Sequence, residues 1–114
     1  MTVRLRHQLV GLSVAATLLA PALVGAAPDA KKGATEFKNA GCGGCHKIEG
    51  TTFAKGTMGP DLSHEGKTRK PGDIQKKIEN PKASMPNSIM PAAKDLGLKP
   101  AQVADIASYL FSLK

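Results

Sequence analysis

Two cysteines and a histidine stand together in the run Cys42-Gly43-Gly44-Cys45-His46, and their side chains can do chemistry. Two thiols three residues apart, at the end of one helix, can reach the two vinyl groups on one edge of a porphyrin and form thioethers. The histidine that follows is then carried under the iron, where one ring nitrogen can bind the metal as the proximal ligand. A Cys-x-x-Cys-His run is typical of c-type haem attachment, so the sequence predicts one covalent haem c with its iron.

Three other uses of these residues compete with haem attachment. A thioredoxin-like redox pair also uses Cys-x-x-Cys, but it requires a βαβ setting and a nearby aromatic residue, and neither is visible. A structural zinc site needs four ligands, and after residue 26 only His46 and His64 remain to complete it, without the spacing of a zinc finger. A plain disulfide in this small loop would leave a weak hydrophobic core unexplained.

The core is weak because large apolar residues are scarce beyond the N-terminus. The chain has 114 residues, which is room for one domain. Residues 27–114 contain 11 Val, Leu and Ile and three Phe in 88 positions. That fraction, about 16%, lies below the roughly 20% under which a charged chain tends to stay disordered. A haem would supply the missing apolar volume, and Gly43 and Gly44 would keep the backbone thin enough to lie against it.

The N-terminus has the pattern of a secretory signal peptide. Arg4 and Arg6 precede an apolar stretch over residues 9–25, and Val24 and Ala26 stand at the spacing that a signal peptidase reads. We expect residues 1–26 to be removed by cleavage after Ala26, and residues 27–114 to be exported to the periplasm as one domain. The alternative is an uncleaved membrane anchor, although we expect no stable anchor.

The elements that must position the motif are short helices separated by loops rich in Gly and Pro. Asp29 is a suitable N-cap for a first helix that runs to about Ala40, and Gly41 would end it just before the cysteines. Residues 41–70 show no sustained period and predict a loop. No stretch alternates apolar and polar residues long enough to predict a strand.

Three further helices are predicted beyond residue 70. The first covers residues 72–79 and ends at Asn80-Pro81. A short turn follows over residues 92–96, with Pro91 at a first-turn position and Gly97 at its end. The last helix begins at Pro100, and its apolar residues fall on one face: Val103, Ile106, Leu110 and Leu113.

In this order, the motifs of residues 29–114 resemble those of a small class I cytochrome c, a monohaem electron carrier. The resemblance rests on Gly33 and Phe37 in the first helix, the Cys-x-x-Cys-His run, Gly59-Pro60-Asp61-Leu62, a Met-Pro pair, and a final helix ending Ala107-Ser108-Tyr109-Leu110. It implies an all-α fold of short helices and long loops wrapped around a covalently bound haem.

The resemblance also implies roles for single residues. Gly33 would let the first and last helices cross closely, with Phe37 and Tyr109 packed near the crossing. The carbonyl of Pro60 would accept a hydrogen bond from the ring nitrogen of His46 that does not bind iron. The side chain of Leu62 would lie against the haem.

The resemblance further implies a methionine as the distal iron ligand. Met90 is the predicted ligand, because it precedes Pro91 and lies 19 residues before Tyr109, a separation typical of the family. Met85 also precedes a proline, but its neighbours are more polar, and it is the second choice. The remaining rivals are Met58 and His64, and an iron with an open distal position also stays an alternative.

A thioether ligand raises the reduction potential and closes the iron to other ligands, so the resemblance implies an electron carrier and not an enzyme. Two alternatives remain. One is an electron-accepting cytochrome subunit of a larger dehydrogenase complex. The other is an open-site haem sensor or peroxidase, although no acid and base pair for peroxide cleavage is visible in the sequence.

Charge indicates the kind of partner. Residues 27–114 carry 14 Lys and Arg against nine Asp and Glu. Nucleic acid is implausible as a partner in the periplasm. We therefore expect redox proteins with acidic docking patches, such as a dehydrogenase, an oxidase or a reductase.

Overall fold

The computed structural model describes Gly11, residues 13–17 and residues 26–114. The signal peptide predicted over residues 1–26 lies largely outside the described residues. Among the described residues, no helix combines the length and the apolar composition that crossing a bilayer requires.

The part of the chain that the structure describes is helical, as predicted. It contains no strand, only an isolated antiparallel bridge between Lys47 and Lys55. The elements in chain order are α1 (Ala30–Asn39), a 3₁₀ turn (Cys42–Gly44), α2 (Glu65–Thr68), α3 (Pro71–Glu79), α4 (Pro81–Ser84), a second 3₁₀ turn (Ala93–Leu96) and α5 (Pro100–Phe111).

The boundaries of α1 follow from its local sequence. The Asp29 carboxylate accepts hydrogen bonds from the backbone N–H groups of Lys31 and Lys32, at 2.8 and 3.2 Å, so the predicted N-cap is confirmed. At the other end, Gly41 adopts φ +79°, a left-handed conformation in which glycine carries no steric penalty. The chain leaves the helix there and enters the Cys42–Gly44 turn at once.

Helices α1 and α5 pack directly on each other. A side chain at Gly33 would overlap the backbone carbonyl oxygen of Asp105, so the predicted close crossing is confirmed. The ring of Phe37 meets the ring of Tyr109 edge-on at 5.9 Å between centroids, and the ring of Phe53 at 6.3 Å. The backbone N–H of Asp29 also donates to the Asp105 carboxylate at 2.8 Å, which ties the start of α1 to α5.

The core is small. Among the described residues, ten hydrophobic residues are buried, and three of them are alanines. α5 contributes the largest share, with Val103, Ile106, Ala107 and Leu110, and α3 adds Ile74 and Ile78. Three of the four apolar positions predicted for α5 are therefore buried, while Leu113 is half-buried beyond the end of the helix.

The prediction of an uninterrupted loop over residues 41–70 is wrong at two places, the Cys42–Gly44 turn and α2. α2 is a single turn that has no periodic signal of its own. It is held by the chain after α5, because the N–H of Gly66 donates to the carbonyl of Leu113 at 2.8 Å. A side chain at Gly66 would also overlap the carbonyl oxygen of Phe111.

Pro91 and Pro81, which lie between α3 and α5, do not have the structural roles that the sequence predicted. Pro91 lies before the second 3₁₀ turn, whose N-cap is Ala92, and is not a first-turn residue. Gly97 ends that turn at φ +70°, as predicted. Asn80 ends α3, but it also precedes α4, in which Pro81 takes the first position because it has no N–H that needs a partner.

Substitution of Gly33 by Ala is expected to destabilise the fold, because α1 and α5 must move apart to admit the new methyl group. The expected loss is about 2 kcal/mol of unfolding free energy, which is typical of overpacking. Urea unfolding followed by circular dichroism measures it. The matched control is Gly72→Ala in α3, where a side chain would meet nothing within 4 Å. Equal unfolding midpoints for the two variants would contradict the close crossing.

Candidate functional site

The Cys-x-x-Cys-His run forms a tight turn at the end of α1. The backbone N–H groups of Cys45 and His46 both donate to the carbonyl of Cys42, at 3.2 and 3.0 Å. Both cysteines are free; Cys42 is half-buried and Cys45 is exposed. The turn thus presents two thiols and an imidazole on a short, fixed piece of backbone.

The two glycines of the run have different surroundings. A side chain at Gly43 would overlap the backbone carbonyl oxygen of Phe53, so this glycine permits the turn to pack on residues 53 and 54. A side chain at Gly44 would meet nothing within 4 Å. Among the contacts within the protein, it is Gly43 whose close packing requires glycine.

The His46 ring is oriented by Pro60. Its Nδ1 lies 2.8 Å from the carbonyl oxygen of Pro60. A carbonyl oxygen can only accept, so Nδ1 must carry the proton and Nε2 must carry the free lone pair. The ring therefore has one nitrogen held by the protein and one nitrogen available to a metal ion.

Gly59 forms the wall behind the His46 ring. A Cβ atom at this position would lie 2.6 Å from Cε1 and 2.7 Å from Nδ1 of the imidazole, closer than atoms of this kind approach. The N–H of Gly59 also donates to the carbonyl of Cys45 at 2.7 Å. The pair Gly59-Pro60 thus supplies both the space for the ring and the acceptor that orients it.

The segment after Pro60 is joined to the segment after His46. The N–H of Leu62 donates to the carbonyl of Lys47 at 2.9 Å, and the N–H of Glu49 donates to the Ser63 hydroxyl at 2.8 Å. Hydrogen bonds from Ser63 hold the pKa of Asp61 below its ordinary value, and the positive charge of Lys47 acts in the same direction. Sequence reasoning missed Ser63, although an Asp two residues before a Ser is a known signal of a side-chain turn.

The three methionines of residues 27–114 differ in burial. Met90 is half-buried and packs against the core, and its N–H donates to the Ser88 hydroxyl at 3.2 Å. Met85 is 45% exposed and Met58 is 72% exposed. Cys42 and Leu62, two other predicted site residues, pack against the same core as Met90.

Met90 also borders a cavity of about 610 Å³. Ile89, Pro91 and Ala92 contribute to its apolar wall, and Lys82 and Lys94 lie at its polar side. The rival ligand His64 is exposed and does not line this cavity; its Nδ1 lies 3.0 Å from the backbone carbonyl oxygen of Lys114.

The residues present fit a covalently attached haem. Two free thiols stand at thioether spacing, the neighbouring imidazole has its Nε2 unengaged, and Gly59 forms a cradle that any side chain would fill. The competing interpretations fit less well. Burial raises the pKa of the Cys42 thiol, whereas a reactive redox cysteine needs a lowered pKa. Among the described residues, no three His, Cys, Asp or Glu side chains are grouped to hold a metal ion, as a zinc site would require.

Comparisons with known proteins agree with this chemistry. The family model described as Cytochrome c matches residues 30–114. A solved structure titled "Crystal structure of SoxXA from P. pantotrophus" aligns with a TM-score of 0.70 over 81% of this chain and 86% of that chain. At 20% sequence identity, this likeness shows a shared fold. No curated protein matches the sequence.

The matched region contains all the predicted site residues, the helical fold is shared with the solved structure, and the two cysteines have the spacing of haem attachment. The chain therefore belongs to the cytochrome c family, whose members carry haem c covalently and transfer electrons through its iron.

Proposed function

We propose that this protein is a periplasmic carrier of single electrons. In this proposal Cys42 and Cys45 hold the haem by thioether bonds, His46 binds the iron on the proximal side, and Met90 binds it on the distal side. When bound, the haem iron takes up and releases one electron by changing between its ferrous and ferric states. The protein's own residues hold the group, orient the ligands and close the site.

The observation that carries the proposal is the hydrogen bond between His46 and Pro60. The Nδ1 atom of His46 lies 2.8 Å from the carbonyl oxygen of Pro60. This contact keeps the proton on Nδ1 and leaves Nε2 with the free lone pair. Such a partner on the second ring nitrogen orients a metal-binding histidine and raises its basicity. The Gly59 wall limits tilting of the ring, so both features suit a permanent ligand.

Burial favours Met90 over the other methionines as the distal ligand. A ligand sulfur must lie inside the protein to exclude water from the iron, and Met90 is the half-buried member that packs on the core. A thioether is a soft donor that stabilises ferrous iron and raises the potential. With His46 and Met90 both bound to it, the iron would have no room for an external ligand, which agrees with a carrier.

Exposed lysines support a role in association with partners. All but Lys77 of the following residues are exposed: Lys31, Lys32, Lys38, Lys47, Lys55, Lys67, Lys70, Lys76, Lys77, Lys82, Lys94 and Lys99. Positive charge of this kind accelerates encounter with an acidic docking patch without requiring a long-lived complex. An electron carrier must dissociate from its partner after each transfer, so it needs fast association without a long-lived complex.

A second candidate function is an electron-accepting subunit of a larger dehydrogenase complex. The observation that favours it is the exposed side chain of Ile89, of which 80% is accessible, beside the cavity at Met90. An apolar side chain in this place would be covered in a stable complex. Co-purification with an enzyme subunit distinguishes this function from that of a free carrier.

Replacement of Met90 by Ala is expected to abolish the weak far-red charge-transfer band of the ferric protein and to lower the reduction potential, because the thioether is lost. The reduced variant should also bind carbon monoxide faster than the wild type. Absorption spectra and a redox titration measure these changes. Met85→Ala is the matched control and should change neither property. The reverse result would move the ligand to Met85.

Association with an acidic redox partner is expected to slow steeply as salt is added. The screening length falls toward about 8 Å at 0.15 M salt, so steering by exposed lysines weakens. Stopped-flow measurement of electron transfer at several ionic strengths gives the rate. Glucose at matched viscosity serves as the control for slower diffusion. A rate that does not change with salt would contradict steering and leave the electron carrier intact.

Removal of both attachment sites, with Cys42→Ser and Cys45→Ser, is expected to leave a largely unfolded chain. Among residues 26–114, the buried core has only seven hydrophobic side chains larger than alanine, which is little for a domain of this length. Circular dichroism and thermal melting of the secreted protein measure the loss, with the wild type from the same host as control. A cooperative melt of the haem-free variant would contradict the idea that the cofactor completes the core.

A further inference from the structure

Among the described residues, Ser63 is the one polar or charged residue that is buried, with 9% of its surface exposed. Its hydroxyl donates to the Asp61 carboxylate at 2.5 Å and accepts from the backbone N–H of Glu49 at 2.8 Å. A buried hydroxyl is costly unless it is hydrogen-bonded, and here both its donor and its acceptor capacity are used. Such a group specifies how two pieces of backbone meet.

The two pieces of backbone are those that follow His46 and Pro60. Glu49 lies three residues after His46, and Ser63 lies three residues after Pro60. Between them, the N–H of Leu62 donates to the Lys47 carbonyl at 2.9 Å. The Ser63 bond therefore closes a short ladder that begins at the contact of the imidazole with the Pro60 carbonyl.

Asp61 strengthens this ladder from the solvent side. Its Oδ1 accepts from both the hydroxyl and the backbone N–H of Ser63, at 2.5 and 2.9 Å. Its Oδ2 lies 4.0 Å from the Lys47 ammonium nitrogen, and the same ammonium lies 3.8 Å from the Glu49 carboxylate. These side chains are 47 to 62% exposed, so the pairing is weak, and the buried hydroxyl remains the main link.

The other side of Pro60 is held independently. The N–H of Gly59 donates to the Cys45 carbonyl at 2.7 Å. With this bond alone, the chain would be anchored only at Gly59, and the carbonyl group of Pro60 could rotate. The bonds at Leu62 and Ser63 supply the second anchor, which leaves the carbonyl oxygen facing Nδ1 of His46.

We propose that Ser63 is a positioning residue that holds the Pro60 carbonyl on Nδ1 of His46 and thereby tunes the strength of Nε2 as an iron ligand. The proposal rests on the proposed ligation of iron by His46. A strong hydrogen bond at Nδ1 makes the imidazole more basic and favours ferric iron. Loss of the Ser63 hydroxyl weakens that bond, so the reduction potential rises.

The experiment compares haem-containing Ser63→Ala with the wild type, with Ser63→Thr and with Ile78→Val. Threonine restores the hydroxyl. Ile78 is buried in α3 and makes none of the hydrogen bonds of the ladder, so its shortening is expected to lower stability without removing any of them. Three quantities are measured on each protein: the reduction potential, the melting temperature, and the exchange rate of the His46 Nδ1–H in the reduced state by nuclear magnetic resonance.

In Ser63→Ala, we expect the Nδ1–H of His46 to exchange about five to ten times faster. This change corresponds to losing the net stabilisation of about one ordinary hydrogen bond. We also expect a higher potential than in the wild type. Ser63→Thr should return both quantities to near the wild-type values. Ile78→Val should lower the melting temperature while leaving the exchange rate and the potential unchanged.

The proposal is overturned if Ser63→Ala lowers the melting temperature as Ile78→Val does but leaves the exchange rate and the potential unchanged. Should Ser63→Ala yield no holoprotein, Asp61→Ala decides the question, because it removes the acceptor that holds the same hydroxyl. An unchanged Nδ1–H exchange rate in that variant likewise overturns the proposal. Failure of His46 ligation would be seen earlier, in the wild type, as ring signals without the shifts of an iron-bound imidazole.

Discussion

The hydrogen bond between the Pro60 carbonyl and Nδ1 of His46 is the contact around which the rest of the structure is arranged. It requires two loop segments, 14 residues apart in the chain, to meet within 2.8 Å. It also selects the tautomer that leaves Nε2 free. Gly59 provides the space behind the ring, and a larger residue there would overlap the imidazole. The proposed metal chemistry depends on this orientation.

The helices provide the frame that holds these loops. Contact between α1 and α5 at Gly33 brings the start of the attachment turn to the main core, because α1 ends at Asn39, three residues before Cys42. Phe37 and Tyr109 fill the space beside the crossing. With only ten buried hydrophobic residues, the part of the chain that the structure describes supplies little apolar volume by itself. A covalent cofactor is a physical solution for a small domain, because it adds core volume that cannot dissociate.

The charge distribution acts at a longer range than these contacts. Ion pairs among the described residues are few and involve one lysine, Lys47, so the other lysines remain available for the proposed attraction of an acidic partner. Orientation of the proposed ligands and attraction of proposed partners are therefore separate properties of the molecule. The first depends on short-range hydrogen bonds near His46, and the second depends on solvent-exposed charge.

Local interactions were predictable from the sequence alone: the attachment motif, the Asp29 cap, the end of α1 at Gly41, and the periodic apolar face of α5. These depend on residues within one or two turns of each other, so their spacing is visible in the chain. The resemblance to a known family added the Gly33 crossing and the contact of Pro60 with His46. Only the tertiary structure decided that α2 forms, that Ser63 is buried between two loops, and that Met90 is less exposed than Met85 and Met58. The physical reason is that burial and long-range hydrogen bonds depend on which distant segments of the chain meet in the fold. The spacing of residues along the sequence does not contain that information.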